Sequence, residues 1–179
     1  MSELYYSRLL QPPDPDFSCG VTTIDQTIQQ SHILVILRRC YAYSVMSKDK
    51  LLGYYMVSLK RFSVETFYPP VEDHFIEPYQ DLYALNIDYI AVNKKYQRNQ
   101  IGTTILQNIL DDAENLMKFC PIRLITLDAL EERIPWYRKF GFKKAKHPNT
   151  DNAAATLMYY DMVSPEDIDL AEEYAVSCF

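Results

Sequence analysis

The sequence of 179 residues predicts an α+β fold, because short β-prone runs are interleaved with stretches of helical spacing. The clearest strand is the apolar run from Ile87 to Val92, and the clearest helix follows Ile101, where apolar residues recur at helical spacing. No internal repeat, linker or low-complexity tract interrupts the chain, which is long enough to bury a sizeable core. We therefore expect one compact domain over residues 1–163, followed by an acidic helical extension over residues 164–179.

The N-terminal part of the chain predicts a strand and a helix. Residues 4–10 have the pattern of a strand, and the prolines that follow mark a loop. Thr22 or Thr23 is predicted to cap the helix. The apolar side of that helix is predicted to comprise Ile24, Ile28, His32 and Ile36.

A hairpin and an irregular connection are predicted next. The β-prone runs 40–46 and 51–59 flank the polar turn Ser47-Lys48-Asp49-Lys50, which is typical of a hairpin. Residues 63–80 are rich in proline, acids and aromatics, and a connection of that length within a compact domain is usually functional or mobile. We therefore place it beside the substrate.

The remaining elements follow from apolar periodicity and from glycine and proline. They are, in order, a helix over 100–117, a strand over 122–127 opened by Pro121, a helix from about Ile134 that ends before Gly141, and strands over 142–146 and 154–162. Ser164, with Pro165 and two acids behind it, is predicted to cap a last helix.

Composition limits the classes of partner. The chain carries a net charge of −6, yet no Lys or Arg follows Lys146 and seven carboxylates lie beyond residue 150, so the first 150 residues carry +1. No apolar run approaches the ~20 residues that cross a bilayer, and the polar N-terminus lacks the core of a signal peptide. We expect a cytoplasmic protein that binds no membrane. The four cysteines are scattered without a CxxC pair, so neither a metal site nor a disulfide framework is expected.

The stretch from Leu85 to Thr104 predicts a buried strand, a polar turn and the start of a helix. The first-turn amides of a helix lack backbone partners and lie at the positive end of its dipole, so a pyrophosphate placed there accepts several hydrogen bonds. Gly102 allows close approach of the backbone, and Arg98 adds a charge. An ordinary solvated turn is the alternative for this stretch taken alone.

A second motif, Trp136-Tyr137-Arg138-Lys139-Phe140-Gly141-Phe142, lies downstream. Together the two segments resemble the GNAT superfamily of acyl-CoA N-acyltransferases. The pyrophosphate signature of that family, Q/R-x-x-G-x-G/A, falls on the residues from Gln97 to Thr103, and its later Tyr…Gly-Phe signature falls on Tyr137, Gly141 and Phe142. The resemblance covers roughly residues 17–160. It implies a central mixed, mostly antiparallel twisted sheet of six to seven strands flanked by helices, with acetyl-CoA as the acyl donor.

The resemblance also implies site residues. Backbone groups of Ile90, Ala91 and Val92 would orient the pantetheine and the acetyl carbonyl. The pyrophosphate would contact the turn and first helical residues, which are Gln97, Arg98, Asn99, Gln100, Ile101, Gly102 and Thr103. One departure is that Gln100 occupies a glycine position of the signature, where a side chain narrows the approach or demands a different turn.

The resemblance assigns the proton donor to Tyr137. A phenol with a reference pKa near ~10 is protonated at neutral pH and can protonate a thiolate. Many relatives use a glutamate at the position of Asn86, which does not titrate. Asp88, two residues further along the strand, is the nearest ionisable substitute. Glu65, His74, a water relay or no base at all are the alternatives.

Three functions stay open at this point. The leading one is an N-acetyltransferase acting on a small or peptidic primary amine, and a homodimer is compatible with it. The second is a toxin that acetylates aminoacyl-tRNA, since Phe17-Ser18-Cys19-Gly20 with Ile24-Asp25, and the run from Leu127 to Glu132, are similar to bacterial toxin acetyltransferases. We do not favour tRNA, because polyanion binding calls for an extended basic face and this body is nearly neutral. The third is a non-catalytic acyl-CoA-binding protein.

Overall fold

The computed structural model describes residues 4–67, 81–146 and 155–177. In that part of the chain the strands are β1 (Tyr5–Arg8), β2 (Tyr41–Ser47), β3 (Lys50–Ser63), β4 (Asp81–Val92), β5 (Leu124–Leu130), β6 (Lys143–Lys144) and β7 (Ala155–Asp161). The helices are α1 (Thr22–Ile36), α2 (Ile101–Met117), α3 (Ile134–Arg138) and α4 (Pro165–Ser177). Single 3₁₀ turns precede α2 and α3 and follow β3.

The seven strands form a sheet in the order β1-β2-β3-β4-β5-β7-β6. The pairs β1–β2, β2–β3, β5–β7 and β6–β7 are antiparallel. Strands β4 and β5 are neighbours joined through helix α2, which is the crossover connection that parallel neighbours need. The predicted α+β class with a mixed, mostly antiparallel sheet is confirmed.

The chain forms two compact units. The first comprises the residues up to Leu59 together with Asn86–Ala113, and the second comprises Lys60–Leu85 and the residues from Glu114 onward. The turn from Gln97 to Thr103 belongs to the first unit and the Tyr137 motif to the second. The predicted boundary at residue 163 stays a prediction.

The core of the first unit lies under helix α1. It is built from apolar side chains that α1, the loop before it and strands β2 to β4 contribute, among them Phe17, Ile28, Val35, Ala42, Tyr54, Met56, Tyr89 and Ala91. Full burial of one such large side chain stabilises the fold by about 1.5–3 kcal/mol. The Ser31 hydroxyl on α1 lies 2.8 Å from the Tyr89 hydroxyl on β4, so this buried polar pair is satisfied.

The predicted apolar side of α1 was wrong at its far end. The buried positions are Ile28, Ser31 and Val35, whereas Ile36 is 59% exposed. The predicted residues are spaced four apart, and each step of four advances about 40° around a helix of 3.6 residues per turn. Three such steps from Ile24 to Ile36 therefore leave the buried face. The predicted Thr cap was also wrong, since Val21 occupies the N-cap position and provides no side-chain hydrogen bond.

The second unit has its own apolar cluster, which comprises Phe67, Ala84, Leu124, Leu157 and Tyr159. Strand β5 begins and ends later than the predicted 122–127, because Asp128, Ala129 and Leu130 continue the ladder with β7. Strand β3 likewise continues past the predicted residue 59 to Ser63, and β6 is only two residues long. Pairing with neighbouring strands, which local composition does not encode, sets these ends.

Two further expectations concern the end of the chain and membranes. The Ser164 hydroxyl accepts a 3.1 Å hydrogen bond from the Asp167 amide, so Ser164 caps α4 as predicted. Within the described ranges, no helix combines the length and the apolar character that crossing a membrane requires. The three cysteines in this part of the chain are free thiols, two of them buried.

Candidate active site

The carboxylate of Asp88 is held by two neighbours on the sheet. Asp88 is exposed, whereas Asn86 on the same strand is only 1% exposed. The Asn86 Nδ2 amide donates a 2.8 Å hydrogen bond to Asp88 Oδ1, and the Ser58 hydroxyl of β3 donates another of 3.0 Å to the same oxygen. The sequence predicted Asp88 but gave no signal for Ser58, because the register of β3 against β4 is needed to bring the two together.

The end of strand β4 is kept close to β3 by a glycine that sequence reasoning missed. A β-carbon on Gly53 would collide with the carbonyl oxygen of Ala91. The Asn93 amide donates a 2.8 Å hydrogen bond to the Leu52 carbonyl, which continues the pairing into the loop. The lone glycine inside a strand pattern was the available signal, since it marks a close approach of backbones. The three residues predicted to face acyl-CoA with their backbone, Ile90, Ala91 and Val92, are thus fixed on a rigid strand.

The turn between β4 and α2 contains two residues in the left-handed region. Arg98 has φ 64° and Gln100 has φ 60°. The backbone at Gln100 is therefore the kind that the glycine of the family signature would adopt without steric cost, although the residue here is not glycine. Side chains of Asn93 and Asn99 close the turn, the first accepting from Lys95 N at 3.0 Å and the second donating to the Tyr96 carbonyl at 3.1 Å.

Helix α2 begins directly behind this turn. Its first intrahelical bond runs from the Thr104 amide to the Gln100 carbonyl at 3.0 Å. The amides of Ile101, Gly102 and Thr103 precede that bond and so have no intrahelical acceptor. They lie at the positive end of the dipole of a helix that spans Ile101–Met117, and the exposed Arg98 side chain adds a formal charge. This geometry fits a pyrophosphate.

The side-chain amide of Gln97, a residue predicted to bind the cofactor, is bonded to backbone carbonyls of the protein itself. Its Nε2 donates to the Cys19 carbonyl at 2.7 Å and to the Val92 carbonyl at 3.1 Å. An amide nitrogen has two hydrogens, so these bonds use both. The side chain of Gln97 thus holds the turn, and its backbone is the part available to a ligand.

Tyr137 lies on the short helix α3 of the second unit, among aromatic rings. Its ring centroid is 4.7 Å from that of Trp136 and 5.7 Å from that of Phe142, both in edge-to-face geometry. Burial raises the pKa of the Tyr137 phenol to about 12, and the charge of Arg133 opposes the shift only in part. The phenol therefore keeps its proton throughout the physiological range.

The Gly-Phe pair of the motif positions this tyrosine. Gly141 has φ 87° and ends the turn that follows α3, and a β-carbon there would lie 3.1 Å from the Tyr160 ring. Phe142, 2% exposed, packs its ring against Tyr137. The motif is thus a turn that only glycine adopts freely, followed by an aromatic anchor for the phenol.

The other predicted base candidates stay predictions. Glu65 is an exposed residue of the 3₁₀ turn at Val64–Thr66. His74 lies outside the described residues. Among those residues, no cluster of three or more His, Cys, Asp or Glu side chains could hold a metal ion.

The strand order, the turn before α2 and the tyrosine motif are the features that the sequence predicted for an acyl-CoA N-acyltransferase. The family model of the acetyltransferase (GNAT) domain matches residues 39–144, which is more than half of the chain. The chain therefore belongs to the GNAT acetyltransferase family, and the predicted family and enzyme class, an N-acetyltransferase, are confirmed.

Solved structures that share this fold include proteins described as toxins. A Tyr-to-Phe mutant of KacT is 20% identical, with a TM-score of 0.75 over 92% of this chain and 98% of that one. AtaT complexed with acetyl-methionyl-tRNAfMet is 17% identical, with a TM-score of 0.73 over 94% and 99%. AtaTR bound with AcCoA is 16% identical, with a TM-score of 0.72 over 94% and 97%. No protein with a curated description matches the sequence.

Proposed function

We propose that this protein transfers an acetyl group from acetyl-CoA to a primary amine by direct attack of the amine on the thioester. The observation that carries the proposal is the turn from Gln97 to Thr103, where left-handed residues lead into the first amides of α2, which have no acceptor within the helix. Acetyl-CoA is the acyl donor of this family, and the neighbour AtaTR is described as bound with AcCoA.

The turn binds the donor through its backbone. The amides of Ile101, Gly102 and Thr103 donate to the pyrophosphate, and Arg98 balances its charge. The strand end from Ile90 to Val92 offers backbone groups to the pantetheine. These roles need no side-chain rearrangement, because Gln97 and Asn99 already hold the turn in place.

Tyr137 protonates the departing CoA thiolate. Its burial keeps the proton on the phenol at neutral pH, so the group is always in the form that a proton donor needs. The aromatic contacts with Trp136 and Phe142 restrict the ring to one orientation. A proton donor fixed in this way loses little entropy during the reaction.

Asp88 is the proposed acceptor of the proton that the amine must lose. Its carboxylate is exposed and therefore accessible to an incoming amine, directly or through one water. The hydrogen bonds from Asn86 and Ser58 both reach Oδ1, so they fix the plane of the carboxylate. Asn86, at the position where many relatives have glutamate, would then act by orienting Asp88.

The acceptor amine is small or peptidic in the leading form of the proposal, because the first 150 residues carry a net charge of only +1. Aminoacyl-tRNA is the second candidate. Two observations favour it: AtaT, a neighbour, is described in complex with acetyl-methionyl-tRNAfMet, and the exposed cations Arg138, Lys139 and Lys143 lie on and just after α3. The amine of the next cation, Lys144, lies 3.8 Å from the Glu131 carboxylate.

The test is release of free CoA thiol from acetyl-CoA in the presence of panels of polyamines, amino acids, peptides and charged tRNA at near-physiological salt. Amine-dependent release with a small or peptidic acceptor supports the leading form. Efficient acetylation of charged tRNA alone would replace it with the second candidate, and expression of such a protein should arrest growth in a Tyr137-dependent manner. Binding of CoA without turnover on any acceptor would contradict both.

A further inference from the structure

The segment Phe17-Ser18-Cys19-Gly20, with Asp25 behind it, forms a closed turn ahead of helix α1. The Asp25 carboxylate accepts a 2.7 Å hydrogen bond from the Ser18 hydroxyl and a 2.8 Å bond from the Cys19 amide. The Ser18 hydroxyl in turn accepts from the Gly20 amide at 3.1 Å. Phe17 anchors the turn in the core, with its ring 4.8 Å from that of Tyr54. The turn is thus rigid although it contains no regular structure.

This turn contacts the phosphate-binding loop at two backbone carbonyls. The Lys94 amide donates to the Ser18 carbonyl at 3.0 Å, and the Gln97 side chain donates to the Cys19 carbonyl at 2.7 Å. Gly20 makes room for the contact, since it has φ 89° and a β-carbon there would lie 2.9 Å from Lys94 Cε. Both ends of the segment from Lys94 to Gln97 are therefore fastened to the same four-residue turn.

Gln97 links the Phe17–Gly20 turn to strand β4, because its second hydrogen bond goes to the Val92 carbonyl at the end of that strand. Any shift of the Cys19 carbonyl would break the bond from Gln97 Nε2 and release the residue from which the left-handed turn starts. The amides that follow, up to Thr103, would then lose their common orientation. Preorganised donors bind an anion better than donors that must be ordered on binding.

On the basis of the proposed function, we infer that Asp25 is a positioning residue for acyl-CoA binding, acting through the Phe17–Gly20 turn and Gln97 on the pyrophosphate loop. Asp25 touches no part of the loop itself in the hydrogen bonds described, and its effect passes through the Cys19 carbonyl. Burial opposes ionisation of Asp25, but hydrogen bonds from Cys19, Ser18 and Gly20 outweigh it and lower its pKa, so the carboxylate is charged at neutral pH.

The experiment measures the Kd for CoA by calorimetry in four variants of the full chain: Asp25→Ala, Gln97→Met, their combination and Asp16→Ala. Asp16→Ala is the matched control, because it removes an exposed carboxylate from the same segment. We expect each of the first two variants to weaken CoA binding about tenfold or more, which is the effect of one lost charged or paired hydrogen bond. The combination should be no weaker than the worse single variant, because residues acting through one contact are not additive.

A purely structural role for Asp25 predicts a different pattern. Loss of stability alone would lower the melting temperature of Asp25→Ala but leave the CoA affinity of the folded protein unchanged. If Asp25 is a positioning residue, Asp25→Asn should keep most of the CoA affinity. The Asn side-chain oxygen still accepts from the Cys19 amide, and the Ser18 hydroxyl has a lone pair to accept from the Asn side-chain nitrogen. Gln97→Met keeps the test valid if Asp25→Ala fails to fold, because Gln97 is exposed.

Three results would overturn the inference. Wild-type affinity in the folded Asp25→Ala or Gln97→Met variant, with the wild-type protein binding CoA, would refute the positioning role and leave the proposed function intact, as would additive losses in the double variant. Failure of the wild-type protein to bind CoA at all would refute both.

Discussion

The amide of Asn86, nearly devoid of solvent contact, donates a 2.8 Å hydrogen bond to the exposed carboxylate of Asp88 two residues further along β4. A buried amide thus holds an ionisable group at the surface of the strand that leads into the phosphate turn. A fixed carboxylate with access to solvent has the geometry of a general base.

Asp88→Asn should lower kcat by roughly 10²-fold or more at neutral pH, because the amide accepts hydrogen bonds but does not take a proton. The loss should shrink as pH rises toward the pKa of the acceptor amine, since more of the amine is then neutral without help. Steady-state kinetics from pH 6 to 10 test this, with Asp49→Asn in the exposed hairpin turn as the control. Equal pH profiles for wild type and variant would exclude Asp88 as the base.

Tyr137→Phe should keep the fold and the CoA affinity, because the ring contacts with Trp136 and Phe142 do not involve the hydroxyl. Turnover should fall by ~10²–10⁴-fold, the range for a lost acid–base group. Single-turnover kinetics separate chemistry from product release. Tyr83→Phe, at an exposed position of β4, is the control. The proton-donor role is wrong if the chemical step is equally fast in Tyr137→Phe and wild type.

Gly102→Leu should weaken CoA binding strongly, because a bulky side chain in the first turn of α2 blocks close approach of the pyrophosphate. Gly102→Ala should weaken it less. Both substitutions favour the helix intrinsically, so the melting temperature should be kept or raised and a loss of affinity would not reflect unfolding. Calorimetry with CoA is the measurement, and unchanged affinity in the folded Leu variant would place the pyrophosphate elsewhere.

Gln100→Gly should not destabilise the protein, although glycine substitutions usually do. Gln100 has φ 60°, a conformation that costs a non-glycine residue about 1–2 kcal/mol, and relief of that strain offsets the greater freedom of glycine in the unfolded chain. Gln107→Gly makes the same change in the regular part of α2 and should cost about 1 kcal/mol. Urea unfolding of the two variants checks the contrast. A loss of unfolding free energy in Gln100→Gly as large as that in Gln107→Gly would contradict this prediction.

The fold should become less stable as pH rises above about 10. Burial raises the pKa of Tyr137 to about 12 and also raises the pKa of Tyr54, Tyr55 and Tyr89. Between the two pKa values, each of these phenols is protonated in the folded protein but ionised in the unfolded chain. Its contribution to stability is therefore complete below the unfolded pKa near 10 and is lost as pH rises through the folded pKa. Absorbance of tyrosinate should therefore rise in two phases, the second coinciding with the loss of circular dichroism. A single phase centred near pH 10 in the folded protein would argue against this burial.

The sequence predicted the elements whose signals are local. The end of strand β4 at Val92 and helix α2 were correct to within a residue, since apolar period and turn chemistry depend on neighbours along the chain. The start of β4 was wrong, because the strand begins at Asp81 and not near Ile87. The Ser164 cap was predicted for the same reason. The family motifs around Gly102 and Tyr137 likewise consist of short runs of residues, and so they could be recognised without a structure.

Tertiary structure decided the relationships between distant residues. The Gln97 amide reaches a carbonyl 78 positions away, and Ser58 reaches Asp88 across 30 positions. Such contacts depend on the strand order and on the register of β3 against β4, which no local pattern specifies. The same dependence explains why the buried face of α1 was misjudged and why β5 continues to Leu130. The sequence by itself predicted a turn that fits a phosphate and a tyrosine motif, whereas the packing of the chain determined that Gln97 bonds to the Cys19 carbonyl and that the Asn86 amide donates to Asp88.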